Sequence, residues 1–237
     1  MKILAFDSTA KVASVAALED GRVLALYNVD NGLTQSELLL PMAEAMLKAL
    51  GWSFNDIELY AVTSGPGSFT GVRIGTALVK GLAFGKDIPC VSLSTIEALA
   101  ENLRGVTGII VPAMDARRGQ VYSAIFRAAG GEITRLCEDM AISVSELYEK
   151  LKEYGGEPIY VVGDGYDILY KALLEKGLNS LQVTPKLLRA QNAASVGALA
   201  KRKFDNGEKT NDKNLAPTYL RMPQAERERL EKEKSEK

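Results

Sequence analysis

The same order of predicted elements runs twice along this chain of 237 residues. Hydrophobic periodicity and turn residues predict three strands, a helix, a strand, a helix, a strand and a helix in the first half, and the same series in the second. In each half an aspartate ends the first predicted strand, Asp7 in ILAFD and Asp115 in VPAMD. Such an order produces a mixed sheet with helices packed on its faces.

Two such units in tandem predict an α/β protein of two ribonuclease-H-like lobes, the arrangement of actin, the sugar kinases and Hsp70 (ASKHA), with the second lobe the smaller. We predict that residues 1–103 form the first lobe, which carries the partner-binding helices, and that residues 104–221 form the second. Residues 222–237 are mostly charged, with both signs balanced, and are predicted to be a disordered tail. The fold by itself implies no function.

The composition excludes several kinds of catalytic and metal-binding site. The chain has no histidine, so a Ser-His-Asp triad or a histidine-ligated zinc or iron site cannot form. Cys90 and Cys137 are too few for a disulfide framework or a four-cysteine metal site, and we predict that both are reduced and buried. We therefore expect no metal site in this chain.

The N-terminal segment and the charge pattern limit location and partners. Asp7 interrupts the first apolar run before a signal-peptide core can form, and no apolar stretch is long enough to span a membrane. The sequence thus predicts a cytoplasmic protein without a membrane partner. The formal net charge is -1, and neither half carries the dense basic stripe that binds nucleic acid through phosphates alone.

The sharpest local motif is GPGSFTGVR at residues 65–73, where a predicted strand passes through three glycines into a helix. The first N–H groups of such a helix can hold an anion. The motif lacks the Gly-Lys-Ser/Thr and the glycine spacing of known phosphate loops, however. A tight turn that needs glycine for backbone reasons is the favoured interpretation, and a partner contact or a phosphate site are the alternatives.

Asp7 and Asp115 are expected to face each other across an interlobe cleft, where a two-lobed kinase holds hydrated magnesium and nucleotide phosphates. The segments after them, STAKVAS and ARRGQ, leave little room for phosphates because glycine is absent or comes late. A structural or capping role for both aspartates is therefore the favoured interpretation, within a vestigial nucleotide cleft at Asp7, Ser8, Thr9 and Asp115. A magnesium-dependent, ATP-using enzyme of the sugar-kinase type that acts through Asp7 and Asp115 is the alternative.

The first two helices carry more apolar surface than one sheet can bury. Charged residues occupy one narrow stripe of the first helix, and only Arg73 and Lys80 are charged in the second. Such an excess is typical of a subunit interface, and burial inside one chain is the alternative. The predicted partner interface comprises Leu39, Met42, Met46, Leu50, Val72, Gly75, Thr76, Val79 and Ala83.

Four segments carry a resemblance to a known family. GPGSFTGVR, the opening ILAFDSTAKVASVA, MDARRGQVY at residues 114–122 and LAPTYLR at residues 215–221 resemble the TsaB (YeaZ) family. The likeness extends from residue 1 to about residue 221. It implies the same two-lobed fold and a non-catalytic dimerisation subunit of the bacterial complex that places threonylcarbamoyl on the adenosine beside the anticodon of tRNA.

The resemblance also implies partners. The catalytic relative TsaD would bind through the first two helices in a four-helix bundle, and a second copy of this chain would take its place in a homodimer. The ATPase TsaE would complete the assembly, and tRNA would be reached only through the complex. The isolated chain would then have no catalytic residue and no cofactor.

Overall fold

The computed structural model describes residues 1–221, so the predicted tail at 222–237 lies outside the described residues. Five strands form the first sheet in the order β3-β2-β1-β4-β5. Strands β1, β2 and β3 pair antiparallel, whereas β1, β4 and β5 run parallel. The strands are β1 (Lys2–Asp7), β2 (Ala13–Glu19), β3 (Arg22–Val29), β4 (Leu59–Thr63) and β5 (Cys90–Leu93).

Two helices, α1 (Gln35–Leu50) and α2 (Phe69–Ala83), cover one face of this sheet. A capping box begins α1, in which the Glu37 carboxylate accepts hydrogen bonds from the N–H and the Oγ1 of Thr34, at 2.9 and 2.6 Å. Gly51 ends α1 in the left-handed conformation, as a glycine C-cap does. The Ser68 Oγ caps α2 by accepting a hydrogen bond from the Gly71 N–H at 3.2 Å.

The second sheet has seven strands and repeats the topology of the first, with β6 parallel to β11 and antiparallel to β7. The sequence pattern over residues 120–126 predicts one strand, but the structure has two, because β7 pairs with the end of β6 while β8 pairs with its beginning. Strand β10, which the sequence analysis did not predict, lies on the outer side of β7. The strands are β6 (Gly108–Asp115), β7 (Gln120–Ser123), β8 (Phe126–Ala129), β9 (Glu132–Arg135), β10 (Met140–Ser143), β11 (Ile159–Val162) and β12 (Leu181–Gln182).

The helices of the second half divide between the two lobes. Helices α4 (Val144–Leu151) and α5 (Tyr166–Glu175) cover one face of the second sheet. Helix α3 (Thr95–Glu101) follows the first sheet in sequence but packs on β6 of the second. Helix α6 (Ala193–Asp205), predicted within the second lobe, instead packs on β1 and β2 of the first.

The segment after α6 also packs against the first lobe. Thr210 forms an antiparallel bridge with Cys90, and Leu215 is buried in the core beneath α1 and α2. A boundary between residues 103 and 104 therefore divides the two sheets but not the two lobes, because α6 and the C-terminal segment belong to the first. With those elements assigned to the first lobe, the second is the smaller.

Both cysteines are free thiols, Cys90 buried and Cys137 partly buried. Burial raises the pKa of the Cys90 thiol to about 11, so this cysteine stays protonated and unreactive near neutral pH. Among residues 1–221, no helix is long and apolar enough to cross a membrane.

Candidate functional site

A cleft of about 660 Å³ lies between the two lobes. Its walls come from the ends of β1 and β6, the GPGSFTG segment and the C-terminal segment. The lining residues are 9–11, 66–70, 114–117, 122, 164 and 218–221. The cleft thus has the position that the sequence analysis predicted for a vestigial nucleotide site.

The four residues predicted for this site do not lie together in the open cleft. Asp115 and Thr9 line it, whereas Asp7 and Ser8 are buried beneath it. The Asp7 carboxylate accepts hydrogen bonds from the N–H and the Oγ1 of Thr9, at 2.9 and 2.6 Å. Burial raises the pKa of Asp7 to about 6, although these two hydrogen bonds act in the opposite direction.

The glycines of GPGSFTG let α2 pack directly on the segment that follows β1. A Cβ on Gly67 would lie 2.5 Å from the Thr9 carbonyl oxygen, and one on Gly71 would overlap the Ser8 carbonyl oxygen. The Ser68 N–H also donates to the Thr9 carbonyl at 2.7 Å. The chain itself therefore occupies the space beside Ser8 and Thr9, which supports the structural interpretation of this motif over the phosphate site.

Two neighbouring aspartates affect the pKa of Asp164. Asp164, in the turn between β11 and α5, lines the cleft with Asp115. Desolvation in the cleft raises the pKa of Asp164 to about 6, and the negative charges of Asp115 and Asp7 act in the same direction. Within the described part of the chain, no three histidine, cysteine or acidic side chains form a group with metal-binding geometry.

The C-terminal segment forms a second wall of the cleft, which the sequence analysis did not predict. Tyr219 stacks on Phe69 with ring centroids 4.5 Å apart, and the Arg73 guanidinium lies 3.9 Å from the Phe69 centroid. Arg221 donates to the Ala116 carbonyl and to Gln120 of the second lobe. The motif LAPTYLR contains Tyr219 and Arg221, but nothing local in that motif shows that it crosses the cleft.

The structure corrects the predicted partner interface. Eight of its nine residues lie in the core of this chain, and only Leu50 is half-buried. Gly75 illustrates the reason, because it lies against the Ser8 side chain and Val62 of β4. A partner cannot reach these positions while the lobe is folded. The buried residues are Leu39, Met42, Met46, Val72, Gly75, Thr76, Val79 and Ala83.

The neighbouring face of each helix is apolar and accessible instead. On α2 this face has i, i+3, i+4, i+7 spacing, and α1 carries a similar stripe beside its charged residues. We name these residues the helix-pair surface: Leu38, Pro41, Ala45 and Ala49 of α1, with Ile74, Ala77, Leu78, Gly81 and Leu82 of α2. The prediction that α1 and α2 have apolar surface beyond what one core buries is compatible with this face.

Comparison with known proteins finds a family that matches this chain. The model of the TsaD family, tRNA N6-adenosine threonylcarbamoyltransferase, matches residues 34–229. The tRNA threonylcarbamoyladenosine biosynthesis protein TsaB of Bacillus subtilis is 31% identical over 236 residues, which cover 99% of this chain and 100% of that relative.

Solved structures agree with the fold. A Pseudomonas aeruginosa protein described as similar to peptidase YEAZ aligns with a TM-score of 0.78 and 25% identity, covering 93% of this chain and 99% of that one. A ROK hexokinase from Thermus thermophilus aligns with a TM-score of 0.51 at 11% identity, over 87% of this chain and 100% of the hexokinase. The second likeness concerns the fold alone and supports the predicted actin and sugar-kinase architecture.

Proposed function

Because the chain belongs to the TsaB (YeaZ) family of threonylcarbamoyladenosine biosynthesis, we propose that it is the non-catalytic scaffold subunit of a complex that modifies tRNA. In this proposal a TsaD-like catalytic subunit binds the helix-pair surface, and a TsaE-like ATPase completes the assembly. The tRNA is reached through the complex, which works in the cytoplasm.

The observation that carries the proposal is the accessible apolar stripe on α2. Ile74 and Leu78 are only partly buried by their own chain, and Ala77 and Gly81 between them are exposed. Small residues at 77 and 81 let the backbone of another helix approach closely, as in bundle packing at interaxial distances of about 8–10 Å. A helix pair from a partner with a matching apolar stripe would bury this face.

The homodimer of the isolated chain would use the same surface. A twofold axis places identical patches against each other, so the stripe of α2 in one copy would meet the stripe of α1 or α2 in the other. Binding of the catalytic partner and self-association would then be mutually exclusive, because both bury the helix-pair surface.

Arginine substitutions at exposed alanines test this surface without disturbing the core. Ala45→Arg and Ala77→Arg each place a long charged side chain on the stripe, where it would be desolvated without a partner charge. We expect each variant to stay folded by circular dichroism and to bind the TsaD-like subunit of its own organism at least ~30-fold more weakly by calorimetry, the size of an interface hot spot. Reconstituted tRNA modification should fall in parallel.

Leu174→Arg is the matched control, because Leu174 is an exposed apolar residue on α5 of the second lobe. This variant should bind the catalytic partner like the wild type. Unchanged binding by Ala45→Arg and Ala77→Arg would reject the helix-pair surface as the docking site. Loss of partner binding with an intact homodimer in sedimentation velocity would show that self-association uses another face.

The second candidate is an enzyme of the sugar-kinase type that uses ATP and magnesium. It rests on the position of Asp115 and Asp164 in the interlobe cleft, with Asp7 close beneath. Against it, α2 packs on the segment after β1 and leaves little space beside Ser8 and Thr9 for phosphates. We therefore favour the scaffold, and the effect of Asp7 and Asp115 variants on modification distinguishes the two.

A further inference from the structure

The two lobes are joined by helices that cross between them. Helix α3 comes from the first half of the chain and packs on β6, whereas α6 comes from the second half and packs on β1 and β2. The two helices also contact each other. Motions between lobes are absorbed by a few residues at such passages, so the bonds at this crossing decide whether the lobes can move.

One side chain links several segments at the crossing. Asn102, at the end of α3, donates its two amide hydrogens to the carbonyls of Leu188 and Ala190, at 3.0 and 2.8 Å. Its Oδ1 accepts a hydrogen bond from the Ser195 Oγ of α6 at 2.7 Å. These three hydrogen bonds of the Asn102 amide group join the end of α3 to the first turn of α6 and to the segment before it.

These segments are in turn bound to both lobes. The Ala193 N–H, at the start of α6, donates to the Ser14 Oγ of β2 at 2.7 Å. On the other side, the Gly163 N–H at the end of β11 donates to the Arg189 carbonyl at 2.8 Å. Residues 189–193 therefore connect the first sheet to the second, and Asn102 fixes this segment to the end of α3.

Acidic residues of α3 add a second set of links. Glu101 pairs with Arg202 of α6 and with Arg104, and its side chain is only 7% exposed. Glu97 pairs with Lys203 of α6 at 3.3 Å and with Arg135 of β9 at 3.7 Å. Exposed ion pairs alone contribute little, but a nearly buried carboxylate between two arginines is costly to separate.

We propose that the crossing of α3 and α6 is a locked hinge, in which Asn102 and Glu101 hold the two lobes in one relative orientation. The interlobe cleft then keeps its width and does not close around a ligand. This goes beyond the scaffold role, since it describes the isolated chain and needs no partner. A fixed orientation of the lobes would also keep the cleft walls, which come from both lobes, at constant positions relative to each other.

Distance measurements between spin labels test the hinge. Spin labels are attached at two exposed positions, Asn55→Cys in the first lobe and Lys171→Cys in the second. Cys137→Ser removes the partly buried native thiol. Pulsed electron paramagnetic resonance then reports the separation of the lobes. Cys90 stays in place because it is buried. Dilution with unlabelled protein removes distances between copies. We expect a single narrow distribution, because one relative orientation of the lobes is populated.

Variants at the crossing test its cause. Asn102→Ala with Glu101→Gln should broaden the distribution or add a second distance, because the bonds that fix residues 188–195 to α3 and the ion pairs of Glu101 are both removed. Glu149→Gln is the matched control, since it removes an exposed ion pair with Lys152 that lies wholly within the second lobe. Its distribution should match that of the wild type.

Two results would overturn the locked hinge. One is a wild-type distance distribution with two populations, which needs no variant to interpret. The other is a folded Asn102→Ala, Glu101→Gln variant whose distribution stays as narrow as that of the wild type. Neither result depends on binding of a catalytic partner, so failure of the hinge is distinct from failure of the scaffold proposal.

Discussion

Gly75 of α2 lies directly against the Ser8 side chain, so that a Cβ at position 75 would overlap the Ser8 Oγ. Ser8 in turn donates its hydroxyl hydrogen to the Gly71 carbonyl at 2.8 Å. This contact seats α2 on the end of β1 and determines which of its two apolar faces is buried. It also buries Gly71 of the GPGSFTG motif, whereas Ser68 and Thr70 of the motif stay exposed at the cleft.

Glycine substitutions along α2 should therefore have opposite effects on stability. Gly71→Ala would overlap the Ser8 carbonyl oxygen, a backbone atom that cannot move without shifting β1. We expect it to lower the free energy of unfolding by about 1–3 kcal/mol or more. Gly81→Ala meets nothing within 4 Å and should raise the free energy of unfolding by about 0.5–1 kcal/mol, because alanine favours the helix. Urea denaturation of both variants measures the difference, and equal effects would contradict the packing described for α2.

The pH dependence of stability should report the buried Asp7 carboxyl. Its pKa of about 6 in the folded protein exceeds the ordinary value of 3.8, so the folded state holds this proton more tightly than the unfolded state. The Asp7 contribution to the free energy of unfolding therefore falls by up to ~3 kcal/mol as the pH rises from about 4 to above 6. Asp7→Asn removes this titration, and its stability relative to the wild type should improve between pH 4.5 and pH 7.5 in urea denaturation.

Asp56→Asn is the control for the sign of this effect. Hydrogen bonds from the Ser53 side chain and backbone lower the pKa of Asp56, so its contribution to stability is present above the ordinary pKa and lost in acid. The stability of this variant relative to the wild type should worsen as the pH rises toward the ordinary pKa of 3.8, and it should stay constant from about pH 4.5 to about pH 7.5. The same trend in both variants would contradict the assigned environment of Asp7.

The C-terminal segment should be an integral part of the first lobe. Leu215 is 1% exposed in the core beneath α1 and α2, and the Thr218 N–H donates to the Ser64 carbonyl at 2.7 Å. Leu215→Ala should cost about 2–5 kcal/mol in thermal or urea unfolding, as for other buried leucines. Leu187→Ala, at a leucine that is 95% exposed, should stay within about 0.5 kcal/mol of the wild type. A neutral Leu215→Ala would show that the segment is not packed in the core.

Aspartate variants should separate the scaffold from the ATP-using enzyme. If the chain is a scaffold, Asp7→Asn and Asp115→Asn should leave the rate of tRNA modification by the reconstituted complex within about twofold of wild type. A decrease of about tenfold or more, with folding and assembly unchanged, is the size expected when carboxylates that organise a metal are lost. That decrease would favour the enzyme.

Much of the fold was predictable because the signals that specify it are local. Capping boxes at Thr34 and Ser143, each a Ser or Thr with Glu three residues later, begin α1 and α4, and Asp7 and Asp115 end the first strands of the two sheets as predicted. Hydrophobic periodicity also showed that α1 and α2 are apolar on more than one side. Four short segments were enough to identify the family resemblance, which the comparison with TsaB confirms.

Which apolar face of α2 is buried was decided by tertiary structure. Periodicity gives equal weight to the face with Gly75 and Val79 and the face with Ile74 and Leu78, because both are apolar at helical spacing. The choice depends on the fit of small residues against Ser8, a contact between positions more than 60 residues apart. The exchange of α3 and α6 between the lobes likewise depends on contacts across the whole chain. The sequence by itself thus determined most of the elements and their order, because their signals are local, while long-range packing decided which surfaces remain for a partner.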